Sequence, residues 1–249
     1  MAMRFDINAA ALILGVTTTT LRRWDADGTF EANRNTSGSH RYYFDYDIEN
    51  FLEKNYKYLH NVAVKWSFSK ADLSKMLPSG LYCPDSAVFK ARLSKLEKLL
   101  QDDPNLKESF SLVTSVVGEI GNNSFDHNIG NWPDAPGIFF GINLLEKKII
   151  LADRGQGVLA TLGRVRRDLS NDRDALVVAF TEMVSGRPLE ARGNGLKYVK
   201  RIVMQYGMTL AFQSGKNSVK IDKDFYVGDE KNNMRGCFAI LDYKNLKNL

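Results

Sequence analysis

The sequence predicts an α+β fold in two unequal parts: a small winged helix-turn-helix over residues 1–57 and, after a linker over 58–84, a larger domain of mixed helices and strands over 85–249. Three observations predict it. Two short helical patterns joined by a glycine turn open the chain. Longer helical patterns and strand-like runs share the remainder, with no internal repeat. The 249 residues, 44% hydrophobic and 25% charged, are enough to bury a large core and a small one.

Asn8–Leu14 is the first helical pattern, Gly15-Val16 a turn, and Thr17 the N-cap of a second helix through Asp25. A threonine hydroxyl suits that place because it accepts an N–H group that the first helical turn leaves unpaired. Two short helices about a glycine turn suggest a helix-turn-helix. Phe30–Phe44 alternates as two short strands around the polar turn Asn35-Thr36-Ser37-Gly38, which would be a wing. Asp45 then caps a helix running to about Asn55, and the pattern changes after Tyr56.

In the larger part, Ser86–Leu100 predicts a helix with Val88, Leu93, Leu96, Leu99 and Leu100 on one face. Asp103-Pro104 predicts the N-cap and first position of a second long helix to about His127. Ile138–Leu144 and Lys148–Asp153 read as strands joined at Glu146-Lys147, and a helix-rich stretch follows to Tyr206. Thr209–Ser214, Val219–Asp222 and Cys237–Tyr243 predict three late strands.

The net charge of +5 is unevenly placed. Residues 1–57 hold seven Lys and Arg against eight Asp and Glu, the rest 27 against 21, and residues 164–201 nine against five. A basic segment inside the larger part suits a polyphosphate ligand as well as DNA. The longest apolar runs, Ala9–Val16 and Gly137–Leu145, fall far short of the roughly 20 residues a bilayer span requires, and no signal-peptide pattern opens the chain. The expectation is a cytoplasmic protein with no membrane partner. Cys83 and Cys237 lie far apart with no Cys or His neighbourhood, so neither a zinc site nor a disulfide framework is suggested.

Three patterns carry chemistry. Glu119 and Asn123 stand four residues apart in a helical pattern, on the same face one turn apart. A carboxylate there can orient or deprotonate an attacking group, and an amide oxygen can ligate Mg²⁺, a hard cation that prefers oxygen. Alone, such a pair is usually a solvated helix face. Asp153-Arg154-Gly155-Gln156-Gly157 follows the apolar run Ile149–Ala152, setting a carboxylate at a strand end before two glycines that let backbone approach a ligand closely. An ordinary strand-to-helix turn reads the same way. Arg192-Gly193-Asn194-Gly195-Leu196 opens the helical run Lys197–Gln205, and N–H groups at a helix start, with Arg192, Lys197 and Lys200 close in sequence, suit an anion.

Taken in order, the three patterns resemble the ATP-binding fold shared by gyrase, the Hsp-type chaperones, histidine kinases and MutL, the GHKL family, across roughly residues 85–243. The resemblance implies a GHKL-type α/β sandwich that takes ATP and Mg²⁺ as cofactors. Asn123 would hold Mg²⁺, and Asp153 would accept the adenine amino group beside Gly155 and Gly157. Arg192, Gly193, Asn194, Gly195, Leu196 and Lys200 would cradle phosphates beneath a lid drawn from about residues 158–191, and Glu119 would be the general base. Gly236-Cys237 stands where the family often has Gly-Thr, which loses a hydroxyl near the adenine site. His127 matches a histidine of the kinase branch and is given no catalytic role. No phosphoacceptor-histidine helix is recognisable upstream and a receiver domain has no room, so a complete two-component histidine kinase is not expected.

The run Ala10–Val16, then Thr20-Leu21-Arg22-Arg23-Trp24-Asp25, Gly28 and Gly38–Tyr43, resembles the winged helix-turn-helix of MerR regulators and phage excisionases over residues 5–56. That resemblance implies duplex DNA as a partner, with the helix from Thr18 and Thr19 in the major groove and Arg22, Arg23, Arg34, His40, Arg41 and Tyr42 on the recognition helix and wing. Residues 57–85 show no sustained heptads, so a homodimer would have to form through the ATP-binding part or between neighbours on DNA. The leading expectation is a DNA-binding transcriptional regulator whose magnesium-dependent ATP domain acts as a switch with slow hydrolysis. The alternatives are a serine/threonine kinase resembling the anti-sigma-factor kinases, acting on a protein partner, and a non-catalytic nucleotide-binding scaffold.

Overall fold

The computed structural model describes residues 3–36, 38–71, 73–182 and 195–247. Strand β1, Arg4–Asp6, leads directly into helix α1, Ile7–Leu14, because the Asp6 carboxylate accepts the N–H groups of Asn8 and Ala9 at 2.9 and 2.8 Å. Gly15 ends α1 in the left-handed region at φ +67°, a conformation that favours glycine. Thr17 then caps α2, Thr18–Ala26, its hydroxyl taking the Thr20 N–H at 3.0 Å as the sequence predicts.

The wing is less regular than its alternation suggests. Asn33 and Tyr42 form one antiparallel bridge, while β2, Tyr42–Phe44, pairs with β1 from Arg4↔Phe44 to Asp6↔Tyr42. In α3, Asp45–Lys54, Phe44 rather than Asp45 is the N-cap, and its N–H is taken by the Asp47 carboxylate at 2.9 Å.

The stretch read as a linker begins with a helix. In α4, Tyr56–Phe68, Leu59, Val62, Ala63 and Trp66 recur at one-turn spacing and all are buried. Short 3₁₀ turns at Ser74–Met76 and Ser79–Leu81 then lead to β3, Tyr82–Cys83.

Helix α5, Ser86–Gln101, is capped by Asp85 and buries Phe89, Leu96 and Leu100, whereas Leu99 of the expected face is exposed. The second long helix does not begin at Asp103-Pro104: the Asp103 carboxylate turns onto the Asn105 N–H at 2.9 Å, a local turn that competes with helix formation. A 3₁₀ turn at Lys107–Ser109 follows, and α6 runs Phe110–Asn128.

Strands β4, Ile138–Asn143, and β5, Lys148–Asp153, form where expected. Helices α7, Val158–Leu162, α8, Asp172–Thr181, and α9, Gly195–Tyr206, follow, and then strands β6, Thr209–Ile221, and β7, Phe225–Asp242. The strands expected at 209–214 and 219–222 are one strand. Its register with β7 shifts between Ser214 and Asn217, where Gly215 at φ +64° takes up the irregularity.

The sheet β3-β4-β5-β7-β6 is antiparallel throughout, and its two faces serve two different cores. Ile138, Phe140, Ile149, Leu151, Ala239 and Leu241 pack with α5, α6, α8 and α9. The residues between them, Phe139, Ile150, Ala152 and Phe238, pack with α4 and with Ile13, Leu14, Leu21 and Trp24 of the amino-terminal helices. The amino-terminal domain and the sheet therefore share one buried layer, as alternating strand residues require when both faces are covered. Among the described residues no helix is long and apolar enough to cross a membrane.

Candidate functional site

Helix α6 carries Glu119 and Asn123 one turn apart, both half-buried. The start of α9 comes to meet them. A Cβ on Gly195 would stand 2.6 Å from Glu119 Oε2 and 3.3 Å from Asn123 Nδ2, so only glycine fits this approach without displacing the pair. The hydroxyl of Tyr198 and Ser115 Oγ, 3.0 Å apart, bind the same two helices together one turn away. Leu196 packs on the core beneath. Lys200 stands on another side of α9, its Nζ 4.5 Å from the Phe225 ring centroid, and is not brought to Glu119 and Asn123. Arg192, Gly193 and Asn194 lie outside the described residues, as does part of the expected lid.

Asp153 ends β5 almost fully buried. Ser124, on α6 directly after Asn123, donates its hydroxyl to Asp153 Oδ2 at 2.8 Å, and the Gly155 N–H donates to Oδ1 at 2.8 Å. Burial pushes the Asp153 carboxyl above its ordinary range, opposed by Ser124, by the Gly155 N–H and by the N–H and thiol of Cys237. The thiol of Cys237 is itself pushed well up, by burial first and by Asp153 next. Cys237 thus lies directly against Asp153, its N–H and thiol both toward the carboxylate. On the facing residue of β6, Ser214 Oγ accepts the Val158 N–H at 3.0 Å and donates to Gly236 O at 3.1 Å.

The turn after Asp153 is held by backbone contacts that leave no room for side chains. A Cβ on Gly236 would lie 2.7 Å from the Gly155 nitrogen, and one on Gly157, at φ +80°, would lie 2.6 Å from Arg235 O. Asn128, at the end of α6, is a member of this cluster that the sequence reading missed. Its amide donates to Ser124 O at 2.8 Å and accepts the Gln156 N–H at 2.9 Å, and a side chain on Gly155 would strike it. Its spacing of four from Ser124 was the available signal.

Arg154 points away from this cluster. It is 2% exposed, and it donates to Trp66 O at 2.5 Å and to Asp134 at 2.6 Å. Arg235 also pairs with Asp134. Burial would raise the Asp134 carboxyl, but Arg154, the Ala135 N–H and Arg235 outweigh it and hold it at about 2.

The residues present can be tested against the expected cofactor. An ionised carboxylate has about four acceptor positions, and the weakest donor on Asp153 is a thiol, the one a ligand amino group would have to displace. Among the described residues no group of three or more His, Cys, Asp and Glu gathers to hold a metal ion, so a magnesium ion at Asn123 would need phosphate oxygens to complete its shell. Glu119 and Asn123 at the α9 start, and Asp153 with Gly155 and Gly157 beside Ser124, are the groups that would have to hold such a ligand.

In the amino-terminal domain, α2 turns Leu21 and Trp24 inward and leaves Thr19, Arg22 and Arg23 exposed, with Thr18 half-buried. His40 in the wing is exposed as well. Arg34 and Arg41 differ. Both pair with Asp25, Arg41 Nε at 2.6 Å, and the Asp25 side chain is only 5% exposed. Burial would raise Asp25, but the Ala32 N–H, Arg41 and Arg34 bring it below its usual value. Tyr42 is covered by the Arg4 guanidinium 3.6 Å from its ring centroid. Thus Arg34, Arg41 and Tyr42 fasten the wing to α2 and β1, and Thr19, Arg22, Arg23 and His40 stand open to a partner.

No curated protein matches the chain. Residues 5–59 match the family model described as MerR HTH family regulatory protein, so the segment from β1 to the start of α4 is similar to a MerR-type helix-turn-helix, which suggests a DNA-binding transcriptional regulator.

Proposed function

We propose that this protein is a transcriptional regulator that binds duplex DNA through α2 and the wing and binds magnesium–ATP between α6, α9 and the β5 end as a switch. The observation that carries the nucleotide part is the convergence of three separated sequence patterns: Gly195 comes to within a side chain's breadth of Glu119 and Asn123, while Ser124 on the same helix holds Asp153. On this reading Asp153 accepts an exocyclic amino group, Asn123 offers its amide oxygen to Mg²⁺, and backbone N–H groups at the α9 start receive phosphate. Glu119 takes a proton from the attacking group. The bound magnesium ion supplies charge neutralisation to the phosphates.

Calorimetric titration of the full chain with ATP, with and without Mg²⁺, tests the reading. Binding that strengthens with Mg²⁺ and is lost in Gly195→Val supports it; no heat of binding at millimolar ATP overturns it. Labelled ATP then separates the modes. Free phosphate supports the switch, label on a protein partner supports kinase activity instead, and binding without either product supports a scaffold.

A further inference from the structure

Arg154 directly follows the candidate acceptor Asp153 but serves the opposite layer of the molecule. Its guanidinium donates to the carbonyl of Trp66 in the last turn of α4, one of the four carbonyls a helix cannot pair within itself, where the helix dipole also favours a cation. Asp134 holds the other edge of the same guanidinium and is shared with Arg235, whose neighbour Gly236 packs against Asp153 and Gly155. The turn at 153–157 is thus gripped on one side by α6 through Ser124 and Asn128, and on the other by α4 through Arg154. Helix α4 is in turn packed into the amino-terminal domain: Trp24 of α2 meets Tyr58 edge-on at 5.2 Å, and Lys65 donates to Leu12 O at 2.5 Å.

We infer that Arg154 is a positioning residue that couples occupancy of the Asp153 site to the setting of the DNA-binding helix. This rests on the nucleotide reading above. On this inference a ligand drawn onto Asp153 shifts the 153–157 turn, and Arg154, held on two N–H groups by Asp134 and donating a third to the Trp66 carbonyl, passes the shift to the end of α4. Reciprocity follows: if ATP changes DNA affinity by some factor, DNA changes ATP affinity by the same factor.

The test measures that factor. Anisotropy of a labelled mixed-sequence duplex at low salt, with and without saturating magnesium–ATP, is expected to show a change of about fivefold or more in the wild-type chain. Arg154→Lys keeps the charge but loses the planar fork, so each ligand still binds alone while the factor falls toward one. Asp134→Ala, which frees Arg154 from its far side, is expected to reduce the factor as well and serves if Arg154→Lys does not fold. A merely structural role would lower both affinities and leave their ratio intact. Wild-type chain that binds both ligands without mutual effect, or variants that keep the full factor, overturn the coupling and leave the nucleotide reading standing. Wild-type chain that binds no ATP overturns both.

Discussion

A carboxylate withdrawn from water must be satisfied by fixed donors, and Asp153 is held by Ser124, Gly155 and Cys237. Replacing it by Asn removes the charge that a ligand amino group would meet, and should cost about 1.5–3 kcal/mol of ATP binding while costing the fold less. Calorimetry beside thermal unfolding checks this, and equal ATP affinity in Asp153→Asn would exclude the carboxylate from the site. The raised carboxyl also gives opposite pH trends. Because its folded value lies above the unfolded one, its contribution to stability is present at low pH and lost as pH rises through the folded value. ATP, needing the ionised form, should bind more weakly as pH falls through the raised folded value. Asp134 behaves conversely, its contribution to stability present above the unfolded value and lost as pH falls through about 2. Glu119→Ala should leave ATP affinity near wild type and reduce turnover by about a hundredfold or more, as measured by phosphate release. On the DNA side, the pairing of Arg41 with Asp25 divides the arginines. Arg22→Ala should weaken DNA binding and flatten the salt dependence by about one unit, whereas Arg41→Ala should chiefly lower the melting temperature. If both flatten the slope alike, Arg41 leaves Asp25 for phosphate on binding.

Helix α4 explains most of what the sequence concealed. Its buried residues recur at helical spacing, yet it follows α3 after the single residue Asn55, so the two patterns merge and the break after Tyr56 looks like the end of structure. Removing its largest buried side chain, in Trp66→Ala, should destabilise the protein by about 3–5 kcal/mol, measured by denaturant unfolding; a loss under about 1 kcal/mol would mean α4 is dispensable to the core. Elements that state their own boundaries were legible: Thr17 capping α2, and β4 and β5 in almost their full lengths. Of the candidate residues, Glu119, Asn123 and Gly195, which the structure brings together, each stood out by a local pattern. What depended on distant partners did not. Strand β1 is three residues long and exists through pairing with β2, and the break between the late strands was a bulge whose register only β7 defines. Asn128 gains its role from Gln156 across the turn. One clue was overlooked: the unbroken apolar run Ile149–Ala152 signals a strand covered on both faces, and hence a partner for the second face.

The layer that α4 and the sheet share should make the molecule unfold as one cooperative body. Calorimetric melting of the full chain should give a single transition whose van't Hoff and calorimetric enthalpies agree, and two resolved transitions would show that the layer is weak. The order of synthesis adds a further consequence. Helix α4 leaves the ribosome well before Met234 and Phe238 of β7, which help cover it. At roughly 5–20 residues per second, the apolar side of Leu59, Val62 and Trp66 waits about ten seconds or longer for that cover. That surface stays exposed on the nascent chain in the interval, and fragments cut before β7 should be recovered in inclusion bodies.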